Sequence, residues 1–166
     1  EIDYAVGGAL ALACWTARPR ATIDADINLF VSPEDTDGCL DLLRDIGCDF
    51  DWASTTRTLR SHGFCRVHYR GRQVDFFLPL TPFHEAARRR RVPIEFQQSS
   101  IYVLDAESIC VFKLMFFRLQ DLADIEAVLR AQGNGLDRPW IERQVEGLFG
   151  AGDPRLARWR ELAAAV

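Results

Sequence analysis

Two aspartates separated by one residue lie in segment 22–31, where polar and apolar residues alternate. This alternation is typical of a β-strand, in which side chains at i and i+2 point to the same face. Asp24 and Asp26 would then stand about 7 Å apart along the backbone. Two carboxylates this close repel each other, and a divalent cation removes the repulsion. The pair therefore predicts a site for Mg²⁺ or Mn²⁺, although such pairs also occur on solvated strand faces.

A third carboxylate lies in another apolar segment. Asp75 is the lone charge within residues 74–78, VDFFL. An acid in a central strand is costly unless it meets a cation. If this strand pairs beside segment 22–31, three carboxylates converge, and three acids can hold the two metal ions used for in-line phosphoryl transfer.

Residues around the aspartate pair are suited to phosphate. Gly7 and Gly8 precede an apolar, helix-prone run, and a glycine turn at a helix N-terminus lets backbone N–H groups approach phosphate closely. Arg20 and Thr22 come immediately before Asp24. Both features favour the metal-site interpretation over a solvated strand face.

Lys113 is the only lysine among 20 basic residues. In a chain so rich in arginine, a lysine indicates a position that needs a compact ammonium rather than a planar guanidinium, with chance retention as the alternative.

Other polar residues favour ordinary roles. The run 88–91 is four arginines, which could follow an RNA backbone, but we favour a solvated basic helix end beside Glu85. His62, His68 and His84 are not at metal spacing to one another, so structural roles are expected.

The elements that would position these residues alternate between strands and helices. We predict strands at 22–31, 64–69, 73–78, 92–96 and 100–104, and helices at 9–15, 33–46, 83–91, 105–132, 139–149 and 154–165. The first part is therefore α/β and the tail is helical, with predicted boundaries of 1–104 and 105–166 and the tail packed on the core.

The predicted helix 105–132, with or without a bend, carries several charged residues. Lys113 and Asp124 would lie roughly 16 Å apart along a straight axis and could not pair. Asp121 and Asp124 are neighbours on one face. Each of them, like Arg118, could equally be an ordinary surface residue.

Composition sets broad limits. The chain has 166 residues, of which 48% are hydrophobic and 27% are charged, as in a globular domain or a core with a small helical tail. Its apolar runs fall short of the ~18 residues of a membrane span, so no membrane partner is expected. The net charge of −4 argues against nucleic-acid binding driven by total charge. The five cysteines form no C-x-x-C pair, which favours reduced core thiols in a cytoplasmic protein over a zinc site.

Taken together, the glycines at 7–8, the motif RATIDAD at 20–26 and Asp75 resemble the polymerase-β-like nucleotidyltransferase superfamily. The Arg-x-Thr-x-Asp-x-Asp form is most similar to its AbiEii and MenT toxin branch. The segment KLMFFRLQDLADI at 113–125 resembles the closing helix of that branch. The resemblance covers about residues 5–130.

The resemblance implies a small mixed β-sheet flanked by helices, and roles for individual residues. Asp24 and Asp26 would bind both metals, and Asp75 would bind one of them and help to deprotonate the attacking hydroxyl. Lys113 would neutralise phosphate charge. The implied nucleotide-binding set is Gly7, Gly8, Arg20, Thr22, Lys113, Asp121 and Asp124.

The implied reaction moves a nucleoside monophosphate from an NTP to a hydroxyl and releases pyrophosphate. By analogy with the branch, the acceptor would be the 3′ end of tRNA, and a cognate antitoxin could be a partner. One alternative is a small-molecule hydroxyl, as in aminoglycoside or lincosamide nucleotidyltransferases, and another is a degenerate domain without turnover. Many members carry Gly-Ser where this chain has Gly7-Gly8, so the serine hydroxyl that contacts phosphate in those members is missing here. Relatives with Gly-Gly also occur.

Overall fold

The computed structural model describes residues 2–16 and 21–166, which form a mixed sheet with helices around it. Its strands are β1 Tyr4–Val6, β2 Asp24–Leu29, β3 Cys48–Asp49, β4 Phe64–Tyr69, β5 Arg72–Phe77, β6 Val92–Phe96 and β7 Ser99–Val103. The α-helices are α1 Gly8–Thr16, α2 Thr36–Asp45, α3 Trp52–His62, α4 Pro82–Arg90, α5 Ala106–Phe116, α6 Leu119–Gln132, α7 Arg138–Phe149 and α8 Pro154–Ala164, and a short 3₁₀ turn spans Gly133–Gly135.

The strands pair in the order β3-β4-β5-β2-β1-β7-β6. Neighbours are parallel at β2–β5 and β1–β7 and antiparallel elsewhere. The hairpins predicted at 64–78 and 92–104 are present as β4–β5 and β6–β7. The predicted α/β class, a mixed sheet flanked by helices, is therefore confirmed.

Helix boundaries differ from the sequence prediction where a later residue supplies the cap. The helix predicted to begin at Pro33 begins at Thr36, because the Asp35 side chain accepts a hydrogen bond from the Gly38 N–H. Helix α3 was not predicted. It is polar, with Thr55 and Leu59 as its buried residues, so it lacks the strong apolar periodicity that signals a helix.

The long helix predicted at 105–132 is two helices. Asp105 caps α5 as expected and accepts from the Ser108 N–H at 3.0 Å. Phe117 then adopts a left-handed conformation with φ of 57°, which ends α5 and redirects the chain into α6. For a bulky side chain this conformation is uncommon, and the sequence gives no direct sign of it.

Buried side chains form two apolar clusters. The first joins the C-terminal helices to β1 and β7, with Ala5 and Val103 in the same cluster as Ile125 and Trp159. The second lies between α2, α3 and the strands β2, β4 and β5, and it takes the apolar side of β2 through Leu29. The first cluster contains residues from both sides of the predicted boundary between 1–104 and 105–166. That boundary stays a prediction.

All five cysteines are unpaired thiols, and four of them are buried as expected: Cys39, Cys48, Cys65 and Cys110. The fifth, Cys14, is exposed. Among the described helices, none combines the length and apolar character that crossing a membrane requires.

Candidate active site

The parallel pairing of β2 with β5 brings the predicted carboxylates together. Asp26 is the register partner of Asp75, and Asp24 precedes Asp26 by two positions on the same strand face. This is the strand pairing on which the sequence argument for converging acids depended. The metal-binding roles of the three residues remain predictions.

Asp24 is half-buried and held by a neighbour. The Thr22 hydroxyl donates to Asp24 Oδ1 at 2.6 Å. Thr22, predicted to contact nucleotide, therefore orients the first carboxylate in this structure. Arg20, the other predicted contact before the pair, lies outside the described residues.

Asp26 is the carboxylate under the greatest electrostatic stress. Burial raises its pKa, and the charges of Asp24 and Asp75 raise it further. Lys113 and Arg118 act in the opposite direction but do not cancel the effect. At Asp26, burial and the neighbouring carboxylates thus outweigh the neighbouring cations, which is the environment that suits a hard divalent cation.

Gly7 and Gly8 form the turn into α1 and pack directly on this carboxylate. The Gly7 N–H donates to the Asp26 backbone oxygen at 2.8 Å. Gly8 has φ of +53°, and a Cβ built on it would lie 1.7 Å from Asp26 Oδ2. The position therefore needs glycine for its backbone conformation and for its contact with the acid. Triphosphate contact by the two glycines remains a prediction.

Asp75 is buried and paired with an arginine that sequence reasoning missed. Arg66 Nε donates to Asp75 Oδ1 and its Nη2 to Oδ2, both at 2.8 Å. In residues 2–16 and 21–166, no three His, Cys, Asp or Glu side chains are grouped so that they could hold a metal ion together. In the geometry described, Asp24 and Asp26 stand as a pair while Asp75 is bound to Arg66.

Lys113 is nearly buried and forms ion pairs with both predicted aspartates of the closing segment. Its Nζ lies 3.0 Å from Asp121 Oδ1 and 2.8 Å from Asp124 Oδ2. The expectation that Lys113 and Asp124 are too far apart to pair applies to a straight helix. The left-handed Phe117 ends α5, so the two residues lie on separate helices.

Asp121 is fully buried, so its pairing with Arg118 is not a plain surface contact. Burial would raise the pKa of Asp121, but hydrogen bonds from Arg118 and Lys113 outweigh that effect and lower it. Asp121 is therefore a charged carboxylate held between two cations.

A cavity of about 600 Å³ is lined by Lys113 and by the carboxylates of Asp24, Asp26 and Asp75. Its wall is polar where β2 contributes Asp24, Asp26 and Asn28, β5 contributes Asp75, and Thr22 lies just before β2. Other parts of the lining are apolar and come from Phe64, Phe77, Leu80, Phe112, Met115 and Phe116. The cavity thus combines an anionic region with an apolar one. His84, which the sequence assigned a structural role, is also among its lining residues.

The four arginines at 88–91 bind carboxylates of the same chain. Arg88 pairs with Asp3 and Glu85, and Arg89 pairs with Glu85. Arg90 pairs with Asp105 and Glu107, and Arg91 pairs with Asp3. Three of these arginines thus connect α4 and its C-terminal end to other segments, and the solvated helix end expected from the sequence describes only Arg89, whose side chain is 73% exposed.

Comparison with known proteins relates the chain to others by fold. No family model matches it, and no curated protein matches it significantly. The solution structure of the antibiotic-resistance factor ANT(2'')-Ia superposes with a TM-score of 0.54 and 11% identity, over 99% of this chain and 81% of that one. This likeness shows a shared fold, and the mixed α/β architecture is consistent with a nucleotidyltransferase fold.

Two other solved structures give lower scores. The lincomycin-bound crystal structure of the lincosamide antibiotic adenylyltransferase LnuA has a TM-score of 0.46 and 16% identity, over 76% of this chain and 85% of that one. An antigenic nucleotidyltransferase-like protein from Paracoccidioides brasiliensis has a TM-score of 0.45 and 16% identity, over 95% of this chain and 85% of that one.

Proposed function

We propose that the chain transfers a nucleoside monophosphate from an NTP to an acceptor hydroxyl and releases pyrophosphate, with Mg²⁺ or Mn²⁺ as cofactor. The observation that carries this proposal is the register of β2 on β5, which sets Asp26 beside Asp75 with Asp24 on the same face. The fold is compatible with this chemistry, but the reaction is inferred from the site itself.

Asp24 and Asp26 would hold the metal, and Asp75 would join them at one of two ions. Their oxygens and the raised pKa of Asp26 fit a divalent cation. The bound metal would neutralise phosphate charge that develops in the transition state. Thr22 would keep Asp24 oriented, as its 2.6 Å hydrogen bond does in the structure.

The triphosphate would lie near the start of α1. Backbone N–H groups at a helix N-terminus attract anions, and α1 begins at Gly8, directly beside Asp26. Arg20 and Lys113 would add positive charge. Asp121 and Asp124 would act through Lys113, whose ammonium they position.

The transfer needs one bond to form and one to break. The acceptor oxygen would attack the α-phosphorus, and the bond from that phosphorus to the bridging oxygen of the β-phosphate would break. The electron pair leaves on pyrophosphate, and the hydroxyl proton goes to Asp75. Positioning and charge neutralisation would provide most of the rate enhancement.

For the acceptor we favour a small hydroxyl compound over the 3′ end of tRNA. The arginines at 88–91, the best candidates for an RNA backbone, are paired with carboxylates of the same chain. The apolar lining that includes Phe77, Leu80 and Phe116 suits an acceptor with an apolar portion. The described residues offer no comparable support for a toxin role with tRNA and an antitoxin. The experiment below distinguishes that role from transfer to a small compound.

The test is incubation of the protein with each α-labelled NTP and Mg²⁺, with tRNA or with a panel of hydroxyl-bearing antibiotics as acceptor. We expect label on a small compound, with little dependence on salt. Label on tRNA with steep salt dependence would instead favour the toxin-type reaction. Absence of transfer to any acceptor would contradict turnover and favour the degenerate domain.

The matched variants are Asp24→Asn with Asp26→Asn, and Asp41→Asn with Asp45→Asn. Both remove two carboxylates, but the second pair lies exposed on α2. The first should abolish Mg²⁺ binding in calorimetry and slightly stabilise the metal-free protein, because it removes a repulsive pair. The second should bind Mg²⁺ as the wild type does. Equal metal affinity in the two double variants would refute the metal assignment.

A further inference from the structure

Arg66 and Asp75 face each other across the β4–β5 hairpin. They are register partners, so the hairpin itself holds the guanidinium beside the carboxylate. Two parallel hydrogen bonds of 2.8 Å occupy both Asp75 oxygens. This bidentate geometry is the strongest form of an arginine–carboxylate pair.

The two partners differ sharply in exposure. The Asp75 side chain is 7% exposed, whereas that of Arg66 is 54% exposed. A buried carboxylate needs a cation at all times, because an unpaired buried charge is costly. The Arg66 guanidinium already lies largely in water, so its release desolvates nothing, and a metal ion bound in its place would offset the two hydrogen bonds that are lost. One cation at Asp75 can therefore be exchanged for another, and Arg66 is the one that can leave.

The exchange would take place within the cavity already described. Arg66 lines it together with Asp24, Asp26 and Asp75. A metal ion bound by Asp75 needs a carboxylate oxygen that Arg66 now holds. The bidentate pair uses one lone pair on each Asp75 oxygen. A metal ion on either oxygen would lie close to the guanidinium, so the two positive charges would repel each other.

We propose that Arg66 is the resident counter-ion of Asp75 and competes with the metal for it, so that it sets the metal concentration at which the three-carboxylate site assembles. This inference rests on the proposed metal-dependent function. Arg66 is here a positioning residue: its two hydrogen bonds hold the Asp75 carboxylate in place until the metal displaces it.

The experiment is titration of the metal-free protein with Mn²⁺, followed by calorimetry and by the loss of the free Mn²⁺ signal in electron paramagnetic resonance. Arg66→Gln should bind Mn²⁺ on the order of tenfold more tightly than the wild type, because one competing charge is removed. Arg66→Lys, which keeps the charge but loses the fork, should fall between them.

The matched control is Arg72→Gln. Arg72 lies in the same hairpin, is exposed, and is three positions from Asp75, so its side chain points to the other face of the strand. Its removal makes the same change in net charge without releasing Asp75. A gain in Mn²⁺ affinity as large as that of Arg66→Gln would mean a general charge effect and would overturn the proposal.

Asp75→Asn completes a double-mutant cycle. On that background Arg66→Gln should give no further gain, since the shared carboxylate is gone. An equal gain on both backgrounds, or wild-type affinity in Arg66→Gln, would overturn the inference while the proposed function stands. Absence of Mn²⁺ binding by the wild type and by every variant would refute both. If Arg66→Gln does not fold, Arg66→Lys and its Asp75→Asn partner make the same comparison.

Discussion

Lys113 Nζ lies 2.8 Å from Asp124 Oδ2, an ion pair between two helices that meet at a left-handed residue. The same ammonium lies 3.0 Å from Asp121 Oδ1. All three side chains are withdrawn from water. The lysine therefore balances two buried carboxylates and ties α5 to α6, whether or not it also contacts phosphate.

Lys113→Met should strongly destabilise the protein. It would leave two buried aspartates without their shared cation, and removal of one partner from a buried pair costs about 3–5 kcal/mol. Urea unfolding followed by circular dichroism measures the change. Arg130→Met is the control, because its i,i+4 pair with Glu126 is exposed and should contribute about 0.5 kcal/mol or less. Equal stability of the two variants would show that the aspartates do not depend on Lys113.

Gly8→Ala should damage both the fold and the metal site. Its Cβ would meet Asp26 Oδ2 at 1.7 Å, which forces the carboxylate to move. Gly71→Ala is the control: its φ is also positive, at +74°, in a two-residue turn where Arg70 has a positive φ too, and nothing lies within 4 Å of the added Cβ. The control should lose about 1–2 kcal/mol from backbone strain alone.

Comparison of the two alanine variants isolates the contact with Asp26. We expect Gly8→Ala to lose more stability than Gly71→Ala and to bind Mg²⁺ more weakly, as measured by calorimetry. If the two variants lose the same stability and both bind Mg²⁺ normally, then the close packing of Gly8 on Asp26 has no functional consequence.

Substitutions in the arginine run 88–91 should change stability by different amounts, according to the carboxylates that each arginine binds, rather than all act alike as one basic patch. Arg90→Gln would leave the buried Asp105 and Glu107 without their cation and should lower the free energy of unfolding by about 3 kcal/mol. Arg89→Gln, whose side chain is 73% exposed, should change it by less than about 1 kcal/mol. Thermal and urea unfolding test the difference. Equal stabilities combined with equal losses of tRNA binding would instead indicate an RNA-binding surface.

His84 should make stability depend on pH. Burial lowers its pKa below the ordinary value of 6.5, despite a hydrogen bond at Thr81. The unfolded chain therefore binds a proton at a higher pH than the folded one. The stability that the neutral His84 side chain contributes is present above about pH 6.5 and is lost as the pH falls below it. His84→Asn should flatten the fall of Tm between about pH 7 and 5, measured by calorimetry in matched buffers. An unchanged slope would mean that His84 has the same pKa in the folded chain as in the unfolded chain.

Much of the fold followed from local patterns, since alternation marks β2 and the hairpins and apolar periodicity marks the C-terminal helices. The meeting of Asp26 with Asp75 required one assumption, that their strands pair. The Arg66–Asp75 pair was within reach, because a tight turn at Gly71 sets the register and places these two residues opposite each other. The left-handed conformation of Phe117 could not be predicted, because a phenylalanine carries no signal for it. The pairing of Lys113 with Asp124 depends on that conformation and was therefore missed as well.

The register of β2 on β5 also limits how the gene can change. Side chains alternate between faces with a period of two, so a single in-frame codon inserted just before Asp26 or Asp75 would turn that carboxylate to the opposite side of the sheet. The turn at Gln97–Gln98 carries no such constraint, because it joins β6 to β7 and neither strand holds these carboxylates. The two-residue turn at Arg70–Gly71 does carry one, since its length sets the register of Arg66 on Asp75. Length variation is therefore expected to accumulate at the Gln97–Gln98 turn, and libraries that insert residues should leave β2, β5 and the Arg70–Gly71 turn at constant length.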